Sequence, residues 1–430
     1  MKIGVYTLGC KVNQYETQAM EAALRAAGHT IVPFDGPWDA CCINTCTVTA
    51  MSDHKSRQVI RRARRLHPGA VVAVCGCYAQ ADPETVKALG ADIIGGSGDR
   101  TGFVRALEAA APGVDVDDPM ARRCFEFLPA GGLTGRTRAM LKLEDGCTNF
   151  CSYCIIPRVR GPVRSLPAAD AAREARRLRD GGYRELVLTG IELSSYGRDL
   201  PGGPALIDVV EAIADAAPEL RLRLGSLEPR TVTADFCRRA AALPGLCPHF
   251  HLSLQSGCDA TLRRMNRRYD TDRFFESVTL LRQSFDPLGL TTDVIVGFPG
   301  ETEAEFETTL AFLRRCAFTD AHVFPYSPRP GTPAASLPDQ VPRSVKTERA
   351  HAAAAVLEES ASAARAAMIG RTVPVLFETE EDGVTRGHAP NYMEVSVPGA
   401  LRGRLLPVTV TGTAGDLLTG TLASDRVKMP

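Results

Sequence analysis

The sequence predicts an α/β chain in three parts: an N-terminal Rossmann-like parallel sheet (residues 1–120), a central partial (β/α)6 barrel ending in a long helix (137–368), and a small all-β barrel (370–430). Three patterns lead there. Short apolar runs alternate with helix-like segments through the first hundred residues. Six more such units follow between about 139 and 325, and after Gly370 the chain turns to short alternating segments broken by Gly and Pro. Alternating strand and helix gives a parallel sheet, and period-two segments between turn residues give a small barrel.

In the first part, strands are expected at 2–8, 41–45 and 70–75, with helices at 16–27 and 51–66. Residues around 110–138 are richer in Gly, Pro and polar side chains and read as a linker. In the second part, strands are expected at 140–143, 185–189, 221–224, 249–254, 292–296 and 322–325, with helices at 168–179, 206–216, 273–283 and 303–315. Six units over about 200 residues suit an open barrel better than a closed eight-fold one, with a Rossmann-like sheet as the alternative. Residues 341–369, rich in Ala, Glu and Arg, read as one long helix; strands at 373–378, 393–397 and 404–410 belong to the terminal barrel.

Composition narrows the function. Of 430 residues, 44% are hydrophobic and 23% charged, which is ordinary for a globular chain and excludes a disordered one. No run of about 18 apolar residues suggests a membrane span, so no membrane partner is expected. The N-terminus lacks the pattern of a secretory signal, and a cytoplasmic location is expected. In a reducing compartment, 14 cysteines point to metal, cluster or thiolate chemistry rather than disulfides. Fifty basic residues balance fifty acidic ones, so total charge gives no evidence for nucleic acid.

The strongest local signal is Cys147-Thr-Asn-Phe-Cys151-Ser-Tyr-Cys154, directly after the first barrel strand. Three thiolates at this spacing can hold three irons of a [4Fe-4S] cluster and leave the fourth open. Zinc would need a fourth ligand, and no His or Cys follows closely. A second set is dispersed: Cys10, Cys46 and Cys77 each follow a predicted strand, so parallel strands would bring them to one carboxyl edge, where such sheets bind ligands. Taken singly, each reads equally as a small buried hydrophobe. Cys41, Cys42 and Cys75 fall within strands and are assigned to packing; Cys42 and Cys75 are the rivals for the ligand set.

The C-x3-C-x2-C loop after the first strand of a partial barrel resembles the radical S-adenosylmethionine (SAM) enzymes. Two cysteine triads in this order, with a small β barrel last, resemble the methylthiotransferase family along essentially the whole chain. The resemblance is carried by Gly9-Cys10-Lys11-Val12-Asn13, the loops of Cys46 and Cys77, Asp145-Gly146-Cys147, Ile156-Pro157-Arg158 with Arg160-Gly161, the 251–257 and 265–269 segments, 293–301 (DVIVGFPGE) and 326–332 (YSPRPGT). It implies two [4Fe-4S] clusters, one on Cys10, Cys46 and Cys77 that carries sulfur and one on Cys147, Cys151 and Cys154 that reduces SAM. It also implies a radical-SAM barrel, a terminal RNA-binding TRAM-like barrel, and an electron donor and sulfur source as partners. The segments 250–259 and 143–147 look most like the branch that methylthiolates C2 of N6-threonylcarbamoyladenosine 37 in the tRNA anticodon loop. The alternatives are the isopentenyladenosine branch, modification of a ribosomal-protein side chain, and a non-enzymatic iron-sulfur RNA-binding or redox protein.

Loops after barrel strands carry the remaining candidates. Gly190 and Glu192 follow the second strand, where the resemblance implies contact with the SAM amino group, although a His is expected at the position of Glu192. Glu228, Gln255 and Ser256, and Gly297 and Gly300 follow the third, fourth and fifth strands as cofactor-binding candidates; for the two glycines a tight turn is the competing reading. Arginine clusters at 61–65, at 158, 160 and 164, and at 263–268 are candidates for phosphate contacts. The terminal segment holds six Lys/Arg against seven acids, so RNA binding there rests on the resemblance and on stacking by Tyr392.

Overall fold

The computed structural model describes residues 1–129 and 137–423. Six parallel strands come first: β1 (Lys2–Thr7), β2 (Thr30–Val32), β3 (Ala40–Thr45), β4 (Val71–Gly76), β5 (Ile93–Gly95) and β6 (Gly113–Asp115), in the order β2-β1-β3-β4-β5-β6. Strand β3 is buried along its whole length, as a central parallel strand covered on both faces must be. One face packs Cys41 and Ile43 with Trp38, Ile60 and Val74; the other packs Cys42 and Cys75 with Ile3, Leu24 and Phe103. Packing thus accounts for Cys41, Cys42 and Cys75. The expected linker is corrected in part, because β6 extends the sheet by pairing with β5. Strands β2, β5 and β6 are only three residues each, too short for a periodic signal.

The central strands are β7 (Arg138–Lys142), β8 (Glu144–Asp145), β9 (Arg164–Ser165), β10 (Glu185–Thr189), β11 (Arg221–Leu224), β12 (Ser226–Leu227), β13 (His249–Gln255), β14 (Gly289–Val296) and β15 (Asp320–Pro325). They form a parallel row β7-β10-β11, then β12-β13-β14-β15 after a break at Gly225, with β8 and β9 as a small antiparallel pair. Strand β15 does not return to β7, and its His322 and Phe324 are exposed. The barrel is open, as six units predict.

The helix Arg343–Ala366 leads to a closed barrel of β16 (Thr372–Glu381), β17 (Val384–His388), β18 (Glu394–Pro398), β19 (Leu405–Ala414) and β20 (Leu417–Leu422), ordered β16-β17-β18-β20-β19. Two of the basic residues expected on this barrel, Arg426 and Lys428, lie outside the described residues. Buried Glu185 orients Arg221 and Arg223, which donate to the carbonyls of Pro374, His388, Ala389 and Pro390. Burial opposes ionisation of Glu185, but these two arginines prevail and hold its carboxyl at about 2. Tyr392 stacks on His249 (4.5 Å) and His388 (4.8 Å) with the Arg223 guanidinium 4.8 Å from its ring. The expectation of a free stacking ring is therefore corrected: Tyr392 is part of the seam between the two barrels.

Candidate active site

The sheet order reverses at β1, whose neighbours are β2 and β3, and the carboxyl ends around such a switch leave a crevice. Cys10 follows β1 as the N-cap of helix Lys11–Ala26, Cys46 follows β3, and Cys77 begins a short helix after β4. The loops are tightly drawn together. Gly9 (φ +100°) leaves no room for a Cβ, which would lie 2.8 Å from Cys46 Sγ, and Gly76 (φ +99°) lies against the Thr45 backbone. Asn13 Nδ2 donates to Leu8 O (2.8 Å) and Thr45 O (2.9 Å), tying the first two loops. Cys10 is reachable from solvent, whereas Cys46 and Cys77 are buried. Burial pushes the Cys77 thiol up to about 12 against the pull of Arg160, and it senses the charges of Cys10 and Cys46.

Cys147, Cys151 and Cys154 occupy the loop between β8 and helix Ile156–Arg160. Gly146 (φ +92°) makes the turn into it, because a Cβ there would run into Pro162 O. Cys154 N donates to Cys151 O (2.9 Å), Ser152 N to Met265 O (3.0 Å), and Arg267 Nη1 to Cys151 Sγ (3.1 Å). Burial raises Cys147 and lifts Cys154 to about 12. Among the described residues, no three His, Cys, Asp or Glu side chains stand as a ready-made metal cage. The donor chemistry nevertheless fits a cluster: three soft ligands per loop set, within electrostatic reach of one another, with an arginine touching one sulfur of each.

A buried ion network joins the two sets. Arg160, fully buried, donates from Nε to Cys77 Sγ (3.2 Å), from Nη1 to Glu16 (2.5 Å) and from Nη2 to Asn13 Oδ1 (2.7 Å). Glu16 also pairs with Arg100 (2.8 Å) and Lys142 (3.2 Å), and Asp145 with Lys142 (3.1 Å). Despite burial, these cations hold the Glu16 carboxyl well below its usual range. Four cations, Arg100, Lys142, Arg160 and Arg164, thus serve two carboxylates beside the first triad. Arg329 adds a second bridge, donating to Asp53 (2.7 Å) and Thr47 (2.6 Å) next to Cys46. The phosphate-contact expectation is therefore corrected for Arg160 and Arg164. It is corrected also for Arg64, held by Asp92 and Gly90 O, Arg264, paired with Glu305, and Arg267, whereas Arg62 stays exposed beside Asp35.

The other expected site residues divide. Asn149, inside the cysteine loop, donates to Glu192 Oε2 (3.2 Å) and Glu228 Oε1 (3.1 Å), which gathers those two carboxylates beside Cys147. Burial, then the neighbouring Glu228, push the Glu192 carboxyl up to about 7. Glu144 accepts from Glu192 N (2.7 Å), and Gly190 leaves the space it needs, since a Cβ there would meet Glu144 Oε2 at 2.8 Å. Gln255 ends β13 in a left-handed conformation (φ +67°). Ser256 is turned away: its hydroxyl meets Thr309 Oγ1 (3.4 Å) on the outer helix Glu303–Cys316. Gly297 (φ +68°) and Gly300 (φ +74°) make the turn before that helix, with Gly297 N donating to Glu301 (2.6 Å) and no room for a Cβ, which would lie 2.3 Å from Lys346 Cγ. Both positive φ values fit the turn reading of these glycines.

Residues 142–313 match the sequence model of the radical SAM superfamily, and residues 2–96 that of a family described as uncharacterized protein family UPF0004. The chain is 38% identical to the threonylcarbamoyladenosine tRNA methylthiotransferase MtaB of Bacillus subtilis over 95% of this chain and 93% of that one. The chain belongs to the MtaB family of methylthiotransferases. The Thermotoga maritima MtaB is 35% identical over 95% of this chain and 94% of its own. Among solved structures, the radical SAM methyltransferase TsrM of Kitasatospora setae has a similar fold, with TM-score 0.58 and 16% identity over 78% of this chain and 77% of that one. Membership in this radical-SAM methylthiotransferase family implies SAM and a [4Fe-4S] cluster. Among the described residues, no helix is long and apolar enough to cross a membrane.

The MtaB-family site contains residues that motif spacing alone did not single out for the site: Glu16, Asn149, Arg160, Arg267 and Arg329. Their signal lay within the matched segments, but a buried arginine and a phosphate-binding one look alike in sequence.

Proposed function

We propose that this protein replaces the C2 hydrogen of N6-threonylcarbamoyladenosine 37 in the tRNA anticodon loop with a methylthio group. One [4Fe-4S] cluster would be held by Cys10, Cys46 and Cys77 and another by Cys147, Cys151 and Cys154. The observation that carries this reading is that one five-residue helix, Ile156–Arg160, runs from the second triad to a side chain touching Cys77 of the first. Two centres so joined can serve one substrate atom. When bound, SAM and the barrel cluster supply hydrogen-atom abstraction, and the sheet cluster supplies sulfur.

The chain's own residues bind and orient. Glu192, oriented by Asn149 beside Cys147, is suited to accept from an ammonium group such as that of SAM, while Glu228 is paired with Arg230 and Arg267. Arg160 and Arg267 offset thiolate charge in each triad. The three parts, 1–120, 137–368 and 370–430, act as domains around a base extruded from its loop. An electron donor and a sulfur source come from outside the chain, and the work is cytoplasmic.

Mass spectrometry of tRNA nucleosides from a strain lacking the gene tests this. Loss of the methylthio-threonylcarbamoyl nucleoside, restored by the intact gene, is the expected result; loss of the isopentenyl derivative instead would reject it.

A further inference from the structure

A recess of about 540 Å³ opens where helix Lys11–Ala26, the start of the central barrel and the terminal barrel meet, a volume in the range of small-ligand sites. Its wall is rich in cations: Lys11, Arg138, Arg223, Arg386 and Arg402 against Glu378 and Glu394. Two of these are committed elsewhere, Arg138 to Glu378 and Arg223 to Glu185. Among the described residues, Lys11 and Arg386 have no hydrogen-bonded or ion-paired partner. Unpaired cations converging on a recess favour an anionic ligand that forms charge-assisted hydrogen bonds with them.

Position narrows which anion. Lys11 directly follows Cys10, so a group held by Lys11 is anchored one residue from a proposed cluster ligand. Gln14 and Gln18 line the recess from the same helix face, at i+3 and i+7 from Lys11, and offer amides to a hydroxyl or carbamoyl group. On the purine, N6 and C2 flank N1 on a single edge, so anchoring the N6 arm sets where C2 lies. The threonylcarbamoyl arm ends in a carboxylate and bears a hydroxyl, whereas an isopentenyl arm has neither.

We propose that this recess receives the N6 arm of the substrate base, with Lys11 and Arg386 pairing with its carboxylate and so selecting an acidic arm over a neutral one. The proposal rests on the tRNA methylthiotransferase reading and deepens it. The same cations, left without an anion, would disfavour an apolar arm, which makes them specificity residues by rejection as well as attraction.

The test uses the reconstituted full chain and anticodon stem-loop RNAs carrying threonylcarbamoyladenosine 37 or its neutral carboxamide. Wild type is expected to favour the acid by roughly tenfold or more in kcat/KM, as hydrogen-bonding sites do when one partner is lost. Lys11→Gln and Arg386→Gln should each bring that ratio towards one, and Lys11→Arg should keep it. Iron content monitors cluster assembly for the Lys11 variants, and Arg386, on the terminal barrel, decides independently should they lose iron. A ratio unchanged in the variants overturns the proposal. So does an equal loss on every RNA, including one with unmodified adenosine 37, with a shallower salt dependence, which would assign the cations to a backbone phosphate. Both results leave the underlying function intact. Wild-type activity on an isopentenyladenosine stem-loop alone would instead reject the function itself.

Discussion

Arg160 Nε lies 3.2 Å from Cys77 Sγ, and the same guanidinium pairs with Glu16 and Asp145. One side chain thus belongs to the barrel by sequence, to the sheet by contact and to the first triad by chemistry. Its burial means that its charge acts on the sulfur without screening by water.

Replacing Arg160 with Leu is expected to cost about 3 kcal/mol, since breaking a buried ion pair strands its partners. Arg160→Lys keeps the charge but loses the fork that reaches Cys77, Asn13 and Glu16 together, and should fall between. Denaturant unfolding measures the cost. Iron content of the Cys147→Ala background, where the first triad alone remains, reports whether the first set still assembles.

The two triads should separate by function. Wild type is expected to carry about eight irons per chain and each triad variant about four. Cys147→Ala should lose SAM cleavage, whereas Cys10→Ala should cleave SAM but form no methylthiolated product. Full product formation by Cys10→Ala would reject the two-cluster assignment.

Gly146→Ala should mimic loss of the barrel triad alone. Its positive φ strains any other residue by roughly 1–3 kcal/mol, and its Cβ would displace Pro162. Iron should fall by about half with SAM cleavage lost, while circular dichroism shows retained secondary structure.

Tyr392→Ala should destabilise the chain by about 2 kcal/mol, within the range for loss of a packed side chain, and Tyr392→Phe should change little. A variant that lowered tRNA affinity with unchanged stability would contradict the seam role drawn from its stacking on His249 and His388.

His249 links that seam to pH. Burial, then the nearby Arg223 and Lys11, hold its imidazole well below its usual range, so it is neutral when folded. The unfolded chain takes up a proton below about pH 6.5 and the folded chain does not. This contribution is full above that pH and lost as pH falls towards the folded value. Between pH 7.5 and 5.5, the unfolding midpoint of wild type should fall more steeply than that of His249→Phe.

Much of this was legible beforehand. The main strands of the sheet and the six longer strands of the partial barrel, all but the two-residue β12, follow from periodicity, and the six thiols from spacing and position after strands. Strands β2, β5 and β6 escaped because three residues show no period, and β6 lay in a stretch whose Gly and Pro suggested a linker. Ser256, Gly297 and Gly300 were placed at the mouth by position in the chain. The structure turns Ser256 towards an outer helix and shows the two glycines making the turn after their strand. Tyr392 shows the converse error, since an aromatic residue suited to stacking on a base is equally suited to stacking on two histidines.

The sequence by itself determined the order of the elements, the open barrel and the two thiol triads, because periodicity and spacing are properties of the chain read in order. Only the tertiary structure decided which arginines are interior and which face solvent, and that three segments enclose one cationic recess. Arg160 and Glu16 are 144 residues apart, and Lys11 shares its recess with residues beyond 378. No local pattern encodes a contact over that distance; it exists only once sheet, barrel and terminal barrel are packed together.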